Sequence, residues 1–72
     1  MRSVNAGVIG LGIGEQHALG YARARGCQLV GLCDRSRQKL SQVSAQYDSI
    51  ISTTRWQELI DDNRVNLVSI AS

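Results

Sequence analysis

The 72-residue sequence contains no phenylalanine and no proline, and its aromatics are two tyrosines and one tryptophan. Its eight basic side chains are scattered, and only Arg35, Arg37 and Lys39 approach a run. Without clustered Lys and Arg interleaved with aromatics, the footprint of a nucleic-acid-binding protein is missing. No apolar run approaches the roughly 18 residues of a membrane span, so no membrane partner is expected. The stretch from Val4 to Gly14 has neither the apolar h-region nor the cleavage site of a secretory signal. A cytoplasmic protein is expected. Cysteine is scarce too. Cys27 and Cys33 lie on what reads as one strand, hence roughly 20 Å apart at about 3.3 Å per residue, which excludes a disulfide between them. Neither belongs to a C-x-x-C or Cys/His cluster, so no metal site is expected.

What is present is the composition of a globular domain: 43% hydrophobic, 19% charged, net charge +2. A chain of this length buries only about 60% of its unfolded surface, so its stability is marginal without a staple or a partner. Four short apolar segments alternate with three helical ones. Val4 to Gly10, Leu29 to Cys33, a weak Ser49 to Ser52, and Leu67 to Ala71 suit strands covered on both faces of a parallel sheet. Between them, Gly14 to Arg25 carries Ala18, Leu19 and Ala22, with Gly26 placed just past the helix end. Ser36 reads as the N-cap of a second helix with Leu40, Val43 and Tyr47 on one face. Thr54 with Gln57 resembles a capping box for a third, in which Trp56, Leu59 and Ile60 form an apolar stripe that reads as core. Asp61, Asp62 and Asn63 read as the end of that helix and a turn.

This alternation predicts an α/β fold, βαβαβαβ, with a doubly wound parallel sheet in the order 3-2-1-4. In that order the fourth strand is interior, with two more strands beyond it. The sheet is therefore expected to be a truncated, partial one, and the uncovered edge of the fourth strand to drive self-association.

The chemistry centres on Val8-Ile9-Gly10-Leu11-Gly12-Ile13-Gly14-Glu15, where an apolar strand runs into three alternating glycines and then a helix. Glycine lacks the Cβ that would hold a phosphate away, and the unpaired amides and dipole of a helix N-terminus favour an anion. Gly10 and Gly12 occupy the first two positions of the dinucleotide fingerprint G-x-G-x-x-G, but its third falls on Glu15, with Gly14 one residue early. A tight strand-to-helix turn without a ligand is the competing reading. Glu15, which would repel a pyrophosphate, is expected to point outward. Asp34 follows the second strand, placed to accept hydrogen bonds from an adenosine ribose, or to serve as an ordinary helix-entry residue beside Ser36. Arg35 could lie over an adenine and Arg37 could reach a 2′-phosphate; both also fit solvated helix-start charges. Asp34 would repel such a phosphate, which favours NAD, with NADP as the second candidate. His17, on the first helix, has no carboxylate or nucleophile placed to work with it.

These segments, with Leu-Val-Gly-Leu-Cys-Asp-Arg-Ser, Trp-Gln-Glu-Leu-Ile and Val-Asn-Leu-Val-Ser-Ile-Ala-Ser following the glycine turn in order, resemble the start of the glucose–fructose oxidoreductase/inositol dehydrogenase family. The resemblance covers essentially the whole chain. It implies residues 1–72 to be the first part of an N-terminal Rossmann domain binding NAD or NADP, in an enzyme that oxidises a CH–OH group of a sugar, inositol or related polyol. It implies cofactor contacts from Gly10, Gly12 and Gly14 at the pyrophosphate, with Ile13 a further cofactor-binding residue, Asp34 at the ribose and Arg35 near the adenine, and Ala71 and Ser72 approaching at the end of the fourth strand. The glycine turn is one residue shorter than the common form. The family's Thr-Pro or Ser-Pro segment and its Glu-Lys-Pro segment, with the catalytic lysine, have no counterpart in a sequence without proline. Lys39, on the second helix, is no substitute, and no catalytic residue is expected in this stretch.

Two other readings compete. An S-adenosylmethionine-dependent methyltransferase-like domain also has a glycine loop and an acid after strand two. That loop carries an Asp or Glu two residues before its first glycine, where this chain has Val8. A non-enzymatic module binding a nucleotide or a partner chain is the third reading.

Overall fold

The computed structural model describes residues 4–71. They form β1 (Val4–Ile9), α1 (Leu11–Arg23), β2 (Cys27–Cys33), α2 (Arg37–Ser44), β3 (Ile51–Thr53), α3 (Trp56–Ile60) and β4 (Leu67–Ile70). The strands make one parallel sheet in the order β3-β2-β1-β4, as the alternation of segments predicted. Chain direction across the sheet reverses at β1, which gives the fold a switch point between β1 and β4.

Strand alternation divides the sheet into two faces with different packing. On one face Val8 and Leu32 meet Leu11 and Ala18 of α1 and Leu40 and Val43 of α2. Tyr21, Leu29, Tyr47 and Ile50 pack around that cluster. Lys39 Nζ donates to Glu15 Oε1 at 2.9 Å and ties α2 to α1 beside it. Glu15 thus points away from the turn, as expected.

The other face is built around a notch. The β1–β2 register slips between Ala6 and Gly7, so that Ala6 faces Leu29 but Gly7 faces Gly31, leaving Val30 as the extra residue of a bulge. The slip sets two glycines side by side, and Leu59 of α3 drops into the gap with no exposed surface. A Cβ at Gly7 would stand 3.0 Å from Leu59 Cγ, and one at Gly31 would overlap Leu59 Cδ1. One leucine therefore docks a helix of five residues.

Several boundaries differ from those expected. Helix α1 begins at Leu11 instead of Gly14: Gly10, with φ 90°, turns the chain out of β1, and the Leu11 amide finds its acceptor in Asp34 Oδ2. Cys27 is already in β2, paired with Val4. Strand β3 begins at Ile51 because Ser49 has φ 54°, a left-handed conformation that no strand accommodates. Ser36 caps α2 as predicted, its Oγ accepting from the Lys39 amide at 3.1 Å. The capping box expected at Thr54 does not form: the N-cap of α3 is Arg55, without a side-chain cap, and Thr53 Oγ1 accepts from the Arg55 amide at 3.0 Å and donates to Glu58 Oε2 at 3.1 Å. Trp56 is not core. It is 52% exposed and Ile60 is 45% exposed, since so short a helix turns only Leu59 fully inward. Past α3, Asp62 accepts from the backbone and guanidinium of Arg64, which holds its carboxyl down at about 2.

Candidate dinucleotide site

The carboxyl ends of the parallel strands open into a cleft of about 680 Å³ at the switch point. Ile9 at the end of β1 and Gly10 after it, Cys33 at the end of β2 and Asp34 after it, Thr54 just past β3, and Ile70 at the end of β4 with Ala71 after it line the cleft. Gly12 and Ile13 of α1, Arg35, and Trp56 and Ile60 of α3 complete the wall. Both size and position suit a ligand site: such pockets run to roughly 300–1,000 Å³, and open parallel sheets bind ligands beyond their carboxyl ends.

The three glycines of the turn do different things. Gly10 holds a backbone conformation that L side chains rarely adopt, and its amide donates to Cys33 O at 2.9 Å, fastening the turn to β2. Gly14 is buried beneath the helix, where a Cβ would stand 2.8 Å from Val8 Cγ1 and 3.4 Å from Ala71 Cβ. It lets α1 lie close against β1, the work given to the third glycine of the fingerprint, and it does not form part of the cleft wall. Gly12 serves neither purpose. A Cβ there would meet no atom within 4 Å, its φ is not in the left-handed region, and it faces the cleft. In a helix glycine is disfavoured against alanine by about 0.8–1 kcal/mol, and nothing inside the protein compensates for that here.

Asp34 completes the turn. Its Oδ2 accepts from the Leu11 amide at 2.7 Å, and its Oδ1 accepts from the Ser36 amide at 2.8 Å. One carboxylate thus joins the start of α1 to the end of β2 and to the entry of α2. The helix-entry reading of Asp34 is thus realised, and the same residue lines the cleft. A carboxylate offers about four lone-pair sites, so two remain for donors arriving from the cleft. With Leu11 engaged, the amides of Gly12 and Ile13 are the first-turn donors of α1 without an intrahelical acceptor.

The other predicted residues divide. Ile13, 64% exposed, and Arg35 stand at the cleft, and Ala71 is buried at its floor with its amide donating to Ile9 O at 2.9 Å. Ser72 lies outside the described residues. Arg37 lines an adjoining, more polar groove with Ser41, Ser44 and Thr53, which meets the cleft at Thr54. His17 is exposed outside the cleft, with Nδ1 3.4 Å from Ser69 Oγ. Cys33 faces the cleft, but burial pushes its thiol upward in pKa, and the Asp34 and Glu58 carboxylates add to the rise. It stays a neutral thiol, unsuited to nucleophilic work. Both cysteines are free. Sequence reasoning missed Thr54, Trp56 and Ile60 as cleft residues. The available signal was position: they follow the third strand directly, so they emerge at the same sheet edge as Gly10 and Asp34.

The methyltransferase alternative fails on Val8. That residue has no exposed surface and packs under α1, so the place where an amino-group-binding acid would stand belongs to the core. Among the described residues no group of three His, Cys, Asp or Glu could hold a metal ion, and no helix is long and apolar enough to cross a membrane.

No curated protein sequence matches the chain. Among solved structures, it is similar to a myo-inositol 2-dehydrogenase from Lactobacillus plantarum, with 25% identity over 99% of this chain and a TM-score of 0.86. A levoglucosan dehydrogenase in complex with NADH and L-sorbose is 26% identical over the full chain, with a TM-score of 0.80. The scyllo-inositol dehydrogenase from Lactobacillus casei, solved with NAD(H) and scyllo-inositol, superposes with a TM-score of 0.88 over 99% of this chain at 18% identity. The chain spans 22% of the length of each of these relatives. Residues 4–72 match the model of an oxidoreductase family, the Gfo/Idh/MocA family with its NAD-binding Rossmann fold, and the chain belongs to that family.

Proposed function

We propose that residues 1–72 are the opening segment of the cofactor domain of an NAD-dependent dehydrogenase acting on a CH–OH group of a sugar, inositol or related polyol. The observation that carries this reading is Gly12. It is a helical glycine on the cleft wall with no intramolecular reason to lack a Cβ, beside two helix-start amides and an aspartate with acceptor sites to spare. A pyrophosphate passing over Gly12 uses the bare backbone, the amides of Gly12 and Ile13, and the positive end of the helix dipole. Asp34 would then hold the ribose hydroxyls, Arg35 would lie at the adenine, and Ala71 would stand on the nicotinamide side of the cleft. NAD is preferred over NADP because Asp34 repels a 2′-phosphate and Arg37 lines the adjoining groove instead of the cleft. The substrate class follows from the inositol and levoglucosan dehydrogenases among the relatives.

Held by Gly12, Ile13 and Asp34, NAD would supply the hydride acceptor for a carbinol carbon in the whole enzyme. This segment binds and orients the cofactor. The two free thiols suit a cytoplasmic setting. In the described sheet β4 pairs with β1 alone, which supports self-association through its other edge. Sedimentation at rising concentration should show dimers, and a monomer throughout would contradict them.

Titration calorimetry with NAD, NADP, ADP-ribose and S-adenosylmethionine tests the main reading. NAD and ADP-ribose should bind with similar affinity and NADP about tenfold more weakly, a difference of about 1.4 kcal/mol. S-adenosylmethionine should not bind. The Gly12→Ala variant should melt no lower than the parent yet bind NAD at least about tenfold more weakly. Unchanged NAD affinity in that variant would contradict the reading.

A further inference from the structure

The cleft wall contains an aromatic side chain that the packing of α3 leaves half-exposed. Trp56 is the first residue of α3 and 52% exposed, although it lies three positions before Leu59 on a helix that Leu59 fixes in rotation by filling the Gly7–Gly31 notch. Helical side chains lean toward the N-terminus of their helix. Because α3 leaves the carboxyl end of β3, that direction leads to the cleft mouth, and Trp56 lines the cleft with Thr54, Asp34 and Arg35.

We propose that Trp56 is an adenine-binding residue, its indole forming the apolar wall against which the base packs beside Arg35. This inference rests on the cofactor reading above and adds a residue to it. A base is attached directly to its ribose, so a ribose held at Asp34 delivers its base to the neighbouring wall. That wall is Arg35, Thr54 and Trp56 on the β2–β3 side of the cleft. A flat, electron-rich indole opposite a guanidinium is the chemistry that holds a purine, and stacking of this kind tolerates any purine. Leu59 supplies the rigidity: a helix pinned by one buried side chain presents its neighbour three residues earlier in one orientation.

Trp56 is the sole tryptophan of the sequence, so its fluorescence reports on this one position. The experiment follows tryptophan emission during titration with ADP-ribose and with nicotinamide mononucleotide, and in parallel measures NAD retention by equilibrium dialysis for the parent, Trp56→Phe and Trp56→Ala. ADP-ribose should quench the emission saturably, at the midpoint found by dialysis, and nicotinamide mononucleotide should leave it unchanged. Trp56→Ala should retain NAD at least about tenfold more weakly, and Trp56→Phe should recover most of the loss. Should Trp56→Ala not fold, the quenching in the parent and the affinity of Trp56→Phe decide the matter. NAD retained at full affinity by the variants, with parental emission unmoved, overturns the role of Trp56 and leaves the cofactor reading standing. No NAD retained by the parent overturns both.

Discussion

The two faces of the sheet are held in opposite ways. Toward α1 and α2 the sheet presents bulky side chains, Val8 and Leu32, that interdigitate with Leu11, Ala18, Leu40 and Val43. Toward α3 it presents absence: Gly7 and Gly31 withdraw so that Leu59 can enter. The first arrangement spreads stability over many contacts. The second concentrates it in one, and leaves Trp56 and Ile60 of the same helix uncovered at the cleft. One face is the structural half of the molecule, and the other spends its packing on positioning a wall of the site.

The comparison is broken most severely by truncating one leucine on each face. Leu32→Ala and Leu59→Ala should each cost about 2–5 kcal/mol, large in a domain of this size. They should differ in kind. Hydrogen exchange should show Leu32→Ala lowering protection throughout the sheet, whereas Leu59→Ala releases α3 and keeps protection in α1 and α2. Equal loss of protection everywhere in both variants would erase the distinction.

Filling the notch is the next test. Gly31→Ala puts a methyl group where Leu59 Cδ1 lies and should destabilise by about 1–3 kcal/mol in a denaturant melt. Combined with Leu59→Ala it should add little, because the clash needs the leucine. Additive effects would show that the notch does not hold Leu59.

Asp34 joins the glycine turn to β2 on the cleft side of both faces. Asp34→Asn keeps the shape but turns an amide donor toward either the Leu11 or the Ser36 amide. It should cost about 1–3 kcal/mol in the same melt and weaken NAD binding further.

The smallest effects belong to exposed ion pairs. Lys39, by hydrogen bond and charge, lowers the Glu15 pKa, with a smaller contribution from Gln46; Arg64 lowers that of Asp62 to about 2. Because folded values lie below unfolded ones, each contribution is complete above the ordinary carboxylate range and is lost as pH falls through the folded value. Glu15→Gln should flatten the acid limb of the stability profile and loosen α1 against α2 without touching α3. An acid limb identical to the parent's would mean the pair contributes nothing.

Much of this architecture was legible in the sequence because it follows from period and order. Apolar strands alternating with helical segments specify a parallel sheet, and the glycines at the end of the first strand locate the switch point. What was not legible depends on partners distant in sequence. The early start of α1 needs Asp34 to receive the Leu11 amide, a contact 23 positions away. The Gly7–Gly31 notch exists only because Val30 is bulged out of register, which no local pattern announces. Trp56, Leu59 and Ile60 look equivalent on a helical wheel. They separate because a helix of five residues, pinned at one point, has only one inward direction.

The central claim, that the carboxyl-end cleft receives an adenine dinucleotide, is tested most directly by mapping backbone amide shifts in NMR spectra as NAD is added. The account predicts shifts concentrated at Gly10, Gly12, Ile13, Asp34 and Arg35, with the indole N–H of Trp56 moving alongside them and the groove at Arg37 and Ser41 silent. Spectra unchanged at saturating NAD, or shifts confined to the Arg37 groove, would contradict it.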